Sequence, residues 1–369
     1  MKQFLFYFLI LNHLNLLAST EVIYIASGGS ENGIYKADFH LNNGTIKNLR
    51  SISGLEKASF IAWHPSDSIF YAVGSQSKVE YVVGFKVEKN GSVQEFTRFR
   101  SPDGKSAHLA VNPSGTLLMT AQYRGGSVAL YTLDVKGHLL TSSVLKHENP
   151  SRIHQSRQTK NHPHYCTFSK DGRYALVPDL GSDKIHVYKV NEKDLKIEAF
   201  GEIESLPGSG PRHMKFSKQG NKIYLLNELG MNICLYHFDL ESGNAQLISV
   251  TETLRKEIQG KESFNSAAEI LVHPNGRYLY SSNRGHDSIS AFQLDLKTGS
   301  LTPIEVEPVR GAWPRNINIS PDGNWILAAN VHSSNLSVFK IDGQSGELTH
   351  TPRTSLTIDK PMCISFQPK

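Results

Sequence analysis

Four residues of this chain combine side-chain types that could move protons and hold negative charge. They are His164, Arg212, Glu228 and Arg284. A histidine or a glutamate can take a proton from water and return it to a leaving group, and arginines can stabilise an oxyanion or a carboxylate. Such a set could hydrolyse an ester or move a proton beside a carboxylate. The structural alternatives are an ion pair between Arg212 and Glu228 that braces a channel mouth, and a buried histidine whose hydrogen bonds are satisfied.

The places of these residues follow from a repeat that runs along the chain. Each repeat has a short turn, rich in Pro, Asp, Asn and Gly, between two apolar runs. The second residues of these turns serve as anchors and are Pro65, Pro113, Lys170, Lys218, Pro274, Pro321 and Pro368. Neighbouring anchors are 47 to 57 residues apart. Strand patterning with a period of about 40–50 residues is typical of propeller blades.

Each repeat predicts four antiparallel strands. Around Pro274, an apolar run at 270–272 enters the turn and a second run at 277–281 leaves it. Residues 288–294 then alternate with period two, as in a half-buried strand, and another turn precedes a short fourth strand. Asp-Gly and Asn-Gly suit the turns between strands because these residues accept positive φ.

The two ends of the chain predict how the ring closes. The last repeat contains only a first strand, at 361–368, and the strands missing from it are predicted at 22–27 and 34–39. We therefore predict an all-β fold, a single seven-bladed β-propeller of four-stranded antiparallel blades over residues 21–369. Its N- and C-terminal strands share one blade, which we number blade 1.

Two intervals between anchors are longer than the others and predict insertions. They fall at about 146–162 and 253–266, each between a fourth strand and the next first strand. Such segments are either solvated surface loops or a rim that walls a substrate cleft.

Two positions of the repeat carry different residues in different blades. The residue six before each anchor, here called the first-strand position, is Ser59, Ala107, His164, Arg212, Ala268, Arg315 and Met362. The residue ten after each anchor, here called the second-strand position, is Ser75, Tyr123, Leu180, Glu228, Arg284 and Val331. Charged groups are concentrated in blades 4 to 6. Because charges at a channel mouth need partners or a ligand, this asymmetry indicates a functional site.

Metal ligands are not indicated at these positions. The residue nine after each anchor is mostly Asn or Asp, which we interpret as capping of turns, and Asp179 is the one carboxylate there. His162, His164 and His213 lack the spacing of a zinc site. We therefore expect no metal and no cofactor. We assign substrate binding to His162, His213, Asn227 and Arg315.

Several segments resemble the seven-bladed lactonase family, which includes propeller-type 6-phosphogluconolactonase and carboxy-cis,cis-muconate cyclase. The resemblance covers about residues 22–368 and rests on the order of segments 162–164, 177–181, 210–214, 227–229, 267–270, 282–288 and 313–316. It implies that His164, Arg212, Glu228 and Arg284 are catalytic. It further implies a hydrolase acting on a sugar lactone. The alternatives are a lactonizing cycloisomerase with the same site and an exported propeller that only binds.

The N-terminus has the pattern of a secretory signal. Lys2 precedes an apolar run from 4 to 17, and small residues follow at 18 and 19. We predict a signal peptide at 1–20 and a periplasmic or secreted protein. The alternatives are an N-terminal strand or an uncleaved anchor, and a cytoplasmic location. An export signal departs from the resemblance, because a 6-phosphogluconolactone substrate is cytoplasmic.

Composition narrows the class of partner. Of 369 residues, 39% are hydrophobic, which excludes a disordered chain, and the net charge of +5 is spread without a basic block. Three cysteines without a CxxC motif exclude a disulfide framework and predict buried thiols. We expect a monomer that acts on an anionic sugar or carboxylate lactone. No nucleic acid, and no membrane in the mature form, is expected as a partner.

Overall fold

The computed structural model describes residues 20–259 and 264–369. The predicted signal peptide lies outside this part of the chain apart from Thr20. Within the described residues, the strands form seven antiparallel sheets, and no helix has the length and apolarity to cross a membrane. The predicted all-β, seven-bladed propeller is confirmed.

Blade 1 joins the two ends of the chain, since the strand Pro361–Phe366 pairs with the strand Thr20–Ser27. The strands, grouped by sheet, are β1 Thr20–Ser27, β2 Ile34–His40, β3 Thr45–Ser53 and β29 Pro361–Phe366; β4 Glu56–Trp63, β5 Ile69–Gln76, β6 Val79–Val87 and β7 Val93–Arg100; β8 His108–Val111, β9 Leu117–Gln122, β10 Ser127–Leu133 and β11 Leu139–Lys146; β12 Thr167–Phe168, β13 Tyr174–Asp179, β14 Lys184–Asn191 and β15 Lys196–Glu204; β16 Pro211–Phe216, β17 Lys222–Asn227, β18 Asn232–Phe238 and β19 Ala245–Glu252; β20 Ser266–Val272, β21 Tyr278–Arg284, β22 Ser288–Leu294 and β23 Leu301–Pro308; β24 Pro314–Ile319, β25 Trp325–Asn330, β26 Asn335–Ile341, β27 Leu348–His350 and β28 Leu356–Thr357.

The anchor turns form because their last residue adopts positive φ. At Gly276 and Gly323, φ is 74° and 75°, values that glycine reaches without a clash of Cβ. In the first repeat, Asp67 takes this place with φ of 59°. A turn of this kind brings the first strand of each blade back as the second strand.

Apolar residues are buried between neighbouring blades rather than in one central core. Ile23 of blade 1 packs with Leu327 of blade 7, and Leu176 of blade 4 packs with Leu225 of blade 5. Second strands such as β9, β13 and β25 are buried along their whole length because sheets cover both of their faces. The channel mouth is therefore a place where buried polar side chains can gather.

Both insertions lie where the sequence predicts them, between β11 and β12 and between β19 and β20. The second contains helix α1 (Lys256–Gln259), and the ring of Phe264 stacks on Trp313 near the channel mouth. The outer strand of blade 7 is split into β27 and β28 by a 3-10 helix, Pro352–Thr354.

The three cysteines are buried and unpaired, as predicted. Burial raises the pKa of the Cys363 thiol to about 12 and also raises that of Cys234. They therefore act as small apolar side chains and not as nucleophiles.

Candidate active site

Bulges at the starts of first strands turn one side chain of several blades toward the channel mouth. In blades 1, 2, 5, 6 and 7 the pairing of first and second strand shifts register there. The first-strand positions within these shifts are Met362, Ser59, Arg212, Ala268 and Arg315. Three of these residues, Met362, Ser59 and Arg315, line the cavity described next.

A cavity of about 200 Å³ lies at this mouth. Eight of the residues that line it occupy the two repeat positions, and they are Met362, Ser59, Ala107, His164, Arg315, Tyr123, Glu228 and Arg284. Lys105, Ser106, Arg124 and Arg157 complete the lining. Pockets for drug-sized ligands are roughly 300–1,000 Å³, so this cavity suits one small ring.

The carboxylate of Glu228 is held by three arginines. Its Oε2 lies 2.9 Å from Arg212 Nε and 3.0 Å from Arg284 Nη2, and its Oε1 lies 2.5 Å from Arg157 Nη2. Burial raises the pKa of Glu228, but the charges of Arg284 and the other two arginines outweigh it and hold that pKa well below its ordinary value. Glu228 is therefore an ionised counter-ion and a weak base.

His164 lines the same cavity and is 4% exposed. Its Nδ1 is buried and has no hydrogen-bond partner among the described residues. Burial and the charge of Arg212 lower the pKa of His164 well below 6.5. The imidazole is consequently neutral at neutral pH and can accept a proton.

Arg212 lies behind Glu228 and does not line the cavity. Its side chain is 1% exposed, and Nη1 donates to the carbonyl oxygen of Ala268. Of the four predicted catalytic residues, His164, Glu228 and Arg284 face the cavity, while Arg212 touches it only through Glu228.

Arg284 and Arg315 provide positive charge from blades 6 and 7. Arg284 Nη2 also donates to the carbonyl oxygen of Ala267 at 3.0 Å, and its guanidinium carbon lies 5.2 Å from the centre of the Trp313 ring. Burial and the charge of Arg284 lower the pKa of Arg315 to about 10, so Arg315 remains protonated at neutral pH. The Arg284 guanidinium is thus held in place, and both residues line the cavity.

Arg157 was missed by the sequence analysis because it lies in an insertion, outside the repeat. Its Nη2 contacts Glu228 and lies 3.2 Å from the hydroxyl of Tyr123. The first insertion is therefore a rim of the cavity and not only a surface loop. The sequence feature that could have indicated Arg157 is the basic composition of this insertion, which lies next to the charged blades.

Lys105, Arg124 and Tyr123 were also missed. Tyr123 occupies a second-strand position, Arg124 follows it directly, and Lys105 lies two residues before a first-strand position. The sequence feature that could have identified them is their closeness to the first-strand and second-strand positions of blade 3. With them, the lining contains five basic side chains and one carboxylate. The cavity therefore favours an anionic ligand.

Both predicted substrate-binding histidines lie outside the cavity lining and have structural partners. His162 stacks on Tyr123 with ring centres 4.5 Å apart, and its Nδ1 lies 2.8 Å from the Tyr123 carbonyl oxygen. His213 Nδ1 lies 2.9 Å from Glu269 Oε1, and its ring centre is 5.2 Å from that of His164. They support residues that line the cavity.

Asn227 is fully buried, also outside the lining. It accepts a hydrogen bond from Ser205 and donates one to Asn232 on β18. Asn283 likewise donates to Ser288 and Ser290. The interpretation of these amides as turn caps is wrong, because they bridge to the third strand of the blade.

Comparison with known proteins gives consistent matches. The family model described as "Lactonase, 7-bladed beta-propeller" matches residues 21–366. The chain is 30% identical over 295 residues to a 6-phosphogluconolactonase of Formosa agariphila, covering 78% of this chain and 82% of that one. It is 28% identical over 290 residues to the Bacillus subtilis 6-phosphogluconolactonase, covering 78% and 81%.

Solved structures agree with this match. A periplasmic gluconolactonase of Pseudomonas aeruginosa has a TM-score of 0.88 at 26% identity, covering 95% of this chain and 99% of that one. A Bacteroides fragilis structure described as a putative 6-phosphogluconolactonase has a TM-score of 0.84 at 27% identity, covering 95% and 98%.

Proposed function

The chain belongs to the lactonase family of seven-bladed β-propellers, and on that premise we propose that it hydrolyses the ring ester of an anionic sugar lactone. The observation that carries this proposal is the cavity itself. In this cavity the neutral His164 lies among basic side chains, and the carboxylate of Glu228 is already paired with arginines. Relatives named 6-phosphogluconolactonase and gluconolactonase support a sugar lactone as the substrate class.

His164 is the general base in this proposal. It is neutral at neutral pH, and its Nδ1 has no hydrogen-bond partner among the described residues, whereas both carboxylate oxygens of Glu228 are already paired with arginines. The imidazole takes a proton from water as the water oxygen bonds to the lactone carbonyl carbon. When the ring C–O bond breaks, the imidazolium returns the proton to the leaving alkoxide. Such a group typically contributes about 10²–10⁴-fold in rate.

Arg284 and Arg315 stabilise the negative charge that develops on the carbonyl oxygen. Both line the cavity, and Arg284 is already oriented by its bonds to Glu228 and Ala267. Donors that need no reorganisation during the reaction are the most effective kind of oxyanion stabilisation. The cations from blade 3, Lys105 and Arg124, would bind an anionic group of the substrate.

Glu228 and Arg212 are positioning residues in this scheme. Glu228 holds two cavity arginines, Arg157 and Arg284, in fixed directions, and Arg212 holds Glu228 from behind. Without the carboxylate, like charges would face one another at close range in a buried site.

The proposal includes export of the chain. The charged start, apolar run and small residues at 1–20 support it, and so does the likeness to a gluconolactonase named as periplasmic. Cell fractionation and N-terminal sequencing test this part. An unprocessed Met1 in the cytoplasmic fraction would contradict it.

Turnover of three lactones by the purified chain tests the activity. The substrates are 6-phosphogluconolactone, glucono-δ-lactone and carboxymuconolactone, each corrected for spontaneous hydrolysis. We expect hydrolysis of a sugar lactone and a loss of roughly 10²–10³-fold in kcat/KM for Arg284→Ala. Arg277→Ala is the matched control, since Arg277 is exposed at the other end of the same strand pair.

Glu228→Gln should also lose activity, while Glu241→Gln, an exposed carboxylate of the same blade, should not. If no lactone is turned over, or if Glu228→Gln and Arg284→Ala retain full activity, the proposal is wrong. Reaction with carboxymuconolactone alone would favour the cycloisomerase instead.

A further inference from the structure

A second cluster of buried polar side chains lies at the edge of blade 4, away from the lactone cavity. It consists of His147, Asp179 and His186. His147 is the residue after β11, Asp179 ends β13, and His186 lies on β14. None of them is among the residues that line the lactone cavity. The catalytic scheme above does not use them.

From this cluster we propose a site for one divalent metal ion of the zinc class. The donors are His147 Nδ1, Asp179 Oδ2 and His186 Nε2, which lie within 4.8 Å of one another. Imidazole nitrogens and a carboxylate oxygen are ligands that Zn²⁺ takes at about 2.0–2.2 Å. Softer thiolate ligands are absent from this set, and hard cations usually take oxygen alone.

The distances between the donors suit an ion between them. In a tetrahedral site two such donors are about 3.4 Å apart, given those bond lengths. His147 Nδ1 lies 2.7 Å from Asp179 Oδ2, and His186 Nε2 lies 4.0 Å from the same oxygen. The ion would lengthen the first distance and shorten the second by small side-chain movements. It would also replace the proton that Nδ1 shares with Asp179.

Each ligand is oriented by a partner on its other polar atom. His147 Nε2 lies 2.7 Å from the Tyr188 hydroxyl, and His186 Nδ1 lies 3.5 Å from Glu202 Oε1. A carboxylate behind a histidine is a common feature of metal sites, because it fixes the ring and makes its nitrogen a better ligand.

The carboxylate of Asp179 is oriented in the same way. Its Oδ1 accepts hydrogen bonds from the backbone N–H of His162 at 2.7 Å and of Gly181 at 2.8 Å. This leaves Oδ2 as the atom directed at the two histidines. Without metal, His186 Nε2 lies 3.3 Å from the Ser182 hydroxyl, and an ion bound by Nε2 and Oδ2 would take the place of that contact.

The cluster has a path to solvent. A cavity of about 420 Å³ is lined by His147, His186, Tyr188 and Glu202. An ion could enter there, and a water from this cavity could provide the fourth ligand. Three protein ligands with one open position fit the zinc class better than a closed structural site.

An ion at this place would tie together both ends of the first insertion. His147 begins that segment, and Asp179 holds the backbone of His162 at its end. Arg157, which reaches the lactone cavity, lies between them. The ion would therefore support the rim of the lactone cavity without taking part in the reaction.

Metal titration of the full chain tests the proposal. After dialysis against a chelator, the protein is titrated with Zn²⁺ by calorimetry and with Co²⁺ by absorption. We expect one equivalent of metal and the intense visible bands of four-coordinate Co²⁺. His147→Gln and His186→Gln should each weaken binding at least tenfold. His237→Gln, an exposed histidine of blade 5, should bind like the wild type.

Glu202→Gln keeps the test decisive if a histidine variant fails to fold, since this side chain is 43% exposed. Loss of a partner behind a ligand typically costs about 10- to 100-fold in metal affinity, and that range is expected here. No binding by the wild type would overturn the proposal. So would binding that is unchanged in the His186→Gln and Glu202→Gln variants.

Discussion

Blades 2 and 5 carry neutral and charged side chains, respectively, at the two repeat positions. In both, the pairing of first and second strand shifts register where the first strand begins. Blade 2 presents Ser59 and Ser75 at the two repeat positions, whereas blade 5 presents Arg212 and Glu228. The fold therefore supplies equivalent positions in every blade. A functional site forms only in the blades where these positions carry charged or reactive side chains.

The side chain at the second-strand position has more contacts in blade 5 than in blade 2. Glu228 contacts three arginines, whereas Ser75 makes one long hydrogen bond, 3.5 Å, to the carbonyl oxygen of Glu56. A buried ion network stabilises the protein only when every member is paired, so losing one member has a large effect. Substitutions in the two parts of the ring should therefore differ strongly in their consequences.

The largest difference should appear when His164 is changed. We expect His164→Gln to lower kcat by about 10²–10⁴-fold, because the base that takes the proton from water is lost. Ser75→Ala, in blade 2, should leave kcat and KM unchanged. Steady-state kinetics on the best lactone substrate, with circular dichroism to verify folding, measure both. Equal effects of the two substitutions would remove the distinction between the blades.

A smaller effect on the kinetics is expected for Arg157, which lies in the first insertion and contacts Glu228. Arg157→Ala should raise KM by about tenfold for an anionic lactone, because one charged hydrogen bond is worth about 1.5 kcal/mol or more. Arg152→Ala is the matched control, since Arg152 is exposed in the same insertion. Steady-state kinetics with an anionic and a neutral lactone separate the charge effect from a loss of packing. A KM that does not change for the anionic lactone would show that Arg157 does not contribute to substrate binding.

The pH dependence should sharpen the comparison further. Because the pKa of His164 lies well below 6.5, kcat/KM should stay constant from pH 8 to 6.5 and fall only at lower pH. Arg212 contributes to that low pKa after burial, so Arg212→Gln should move the acid limb of the profile to higher pH. A pH profile of kcat/KM for both proteins measures the shift. An acid limb that is the same in both would mean that His164 does not titrate in it.

The smallest effect concerns stability in mild acid. Burial lowers the pKa values of His108, His164 and His213 well below 6.5. These rings are neutral in the folded chain and protonated in the unfolded chain below pH 6.5, so unfolding takes up protons and stability falls as the pH falls. Each ring contributes at most about 1.4 kcal/mol per pH unit.

Denaturant unfolding between pH 7 and 5.5 checks this expectation. His108→Gln should make the loss of stability with falling pH shallower. His237→Gln, with an exposed ring, should leave it unchanged. The low pKa of Glu228 acts in another range, since its contribution is lost only below the ordinary pKa of 4.5. A wild-type stability that does not change over this range would contradict the buried, neutral state of the three histidines.

Charged residues at the two repeat positions were predictable, and cavity residues outside those positions were not. His164, Glu228 and Arg284 were found because their spacing from an anchor is the same in every blade. Arg157 has no such spacing, and its approach to Glu228 depends on how the insertion folds over the mouth. The prediction for Asn227 placed it beside substrate, but the strand pairing directs its amide to Asn232.

The sequence by itself determined the propeller, the shared blade and the two positions that face the mouth. It could do so because turn chemistry and strand alternation are local properties that recur with each blade. Only the tertiary structure decided that Glu228 forms ion pairs with three arginines, and that His147, Asp179 and His186 form one cluster. Such groupings depend on distances between segments far apart in the chain, and the electrostatics that set each pKa depend on those distances.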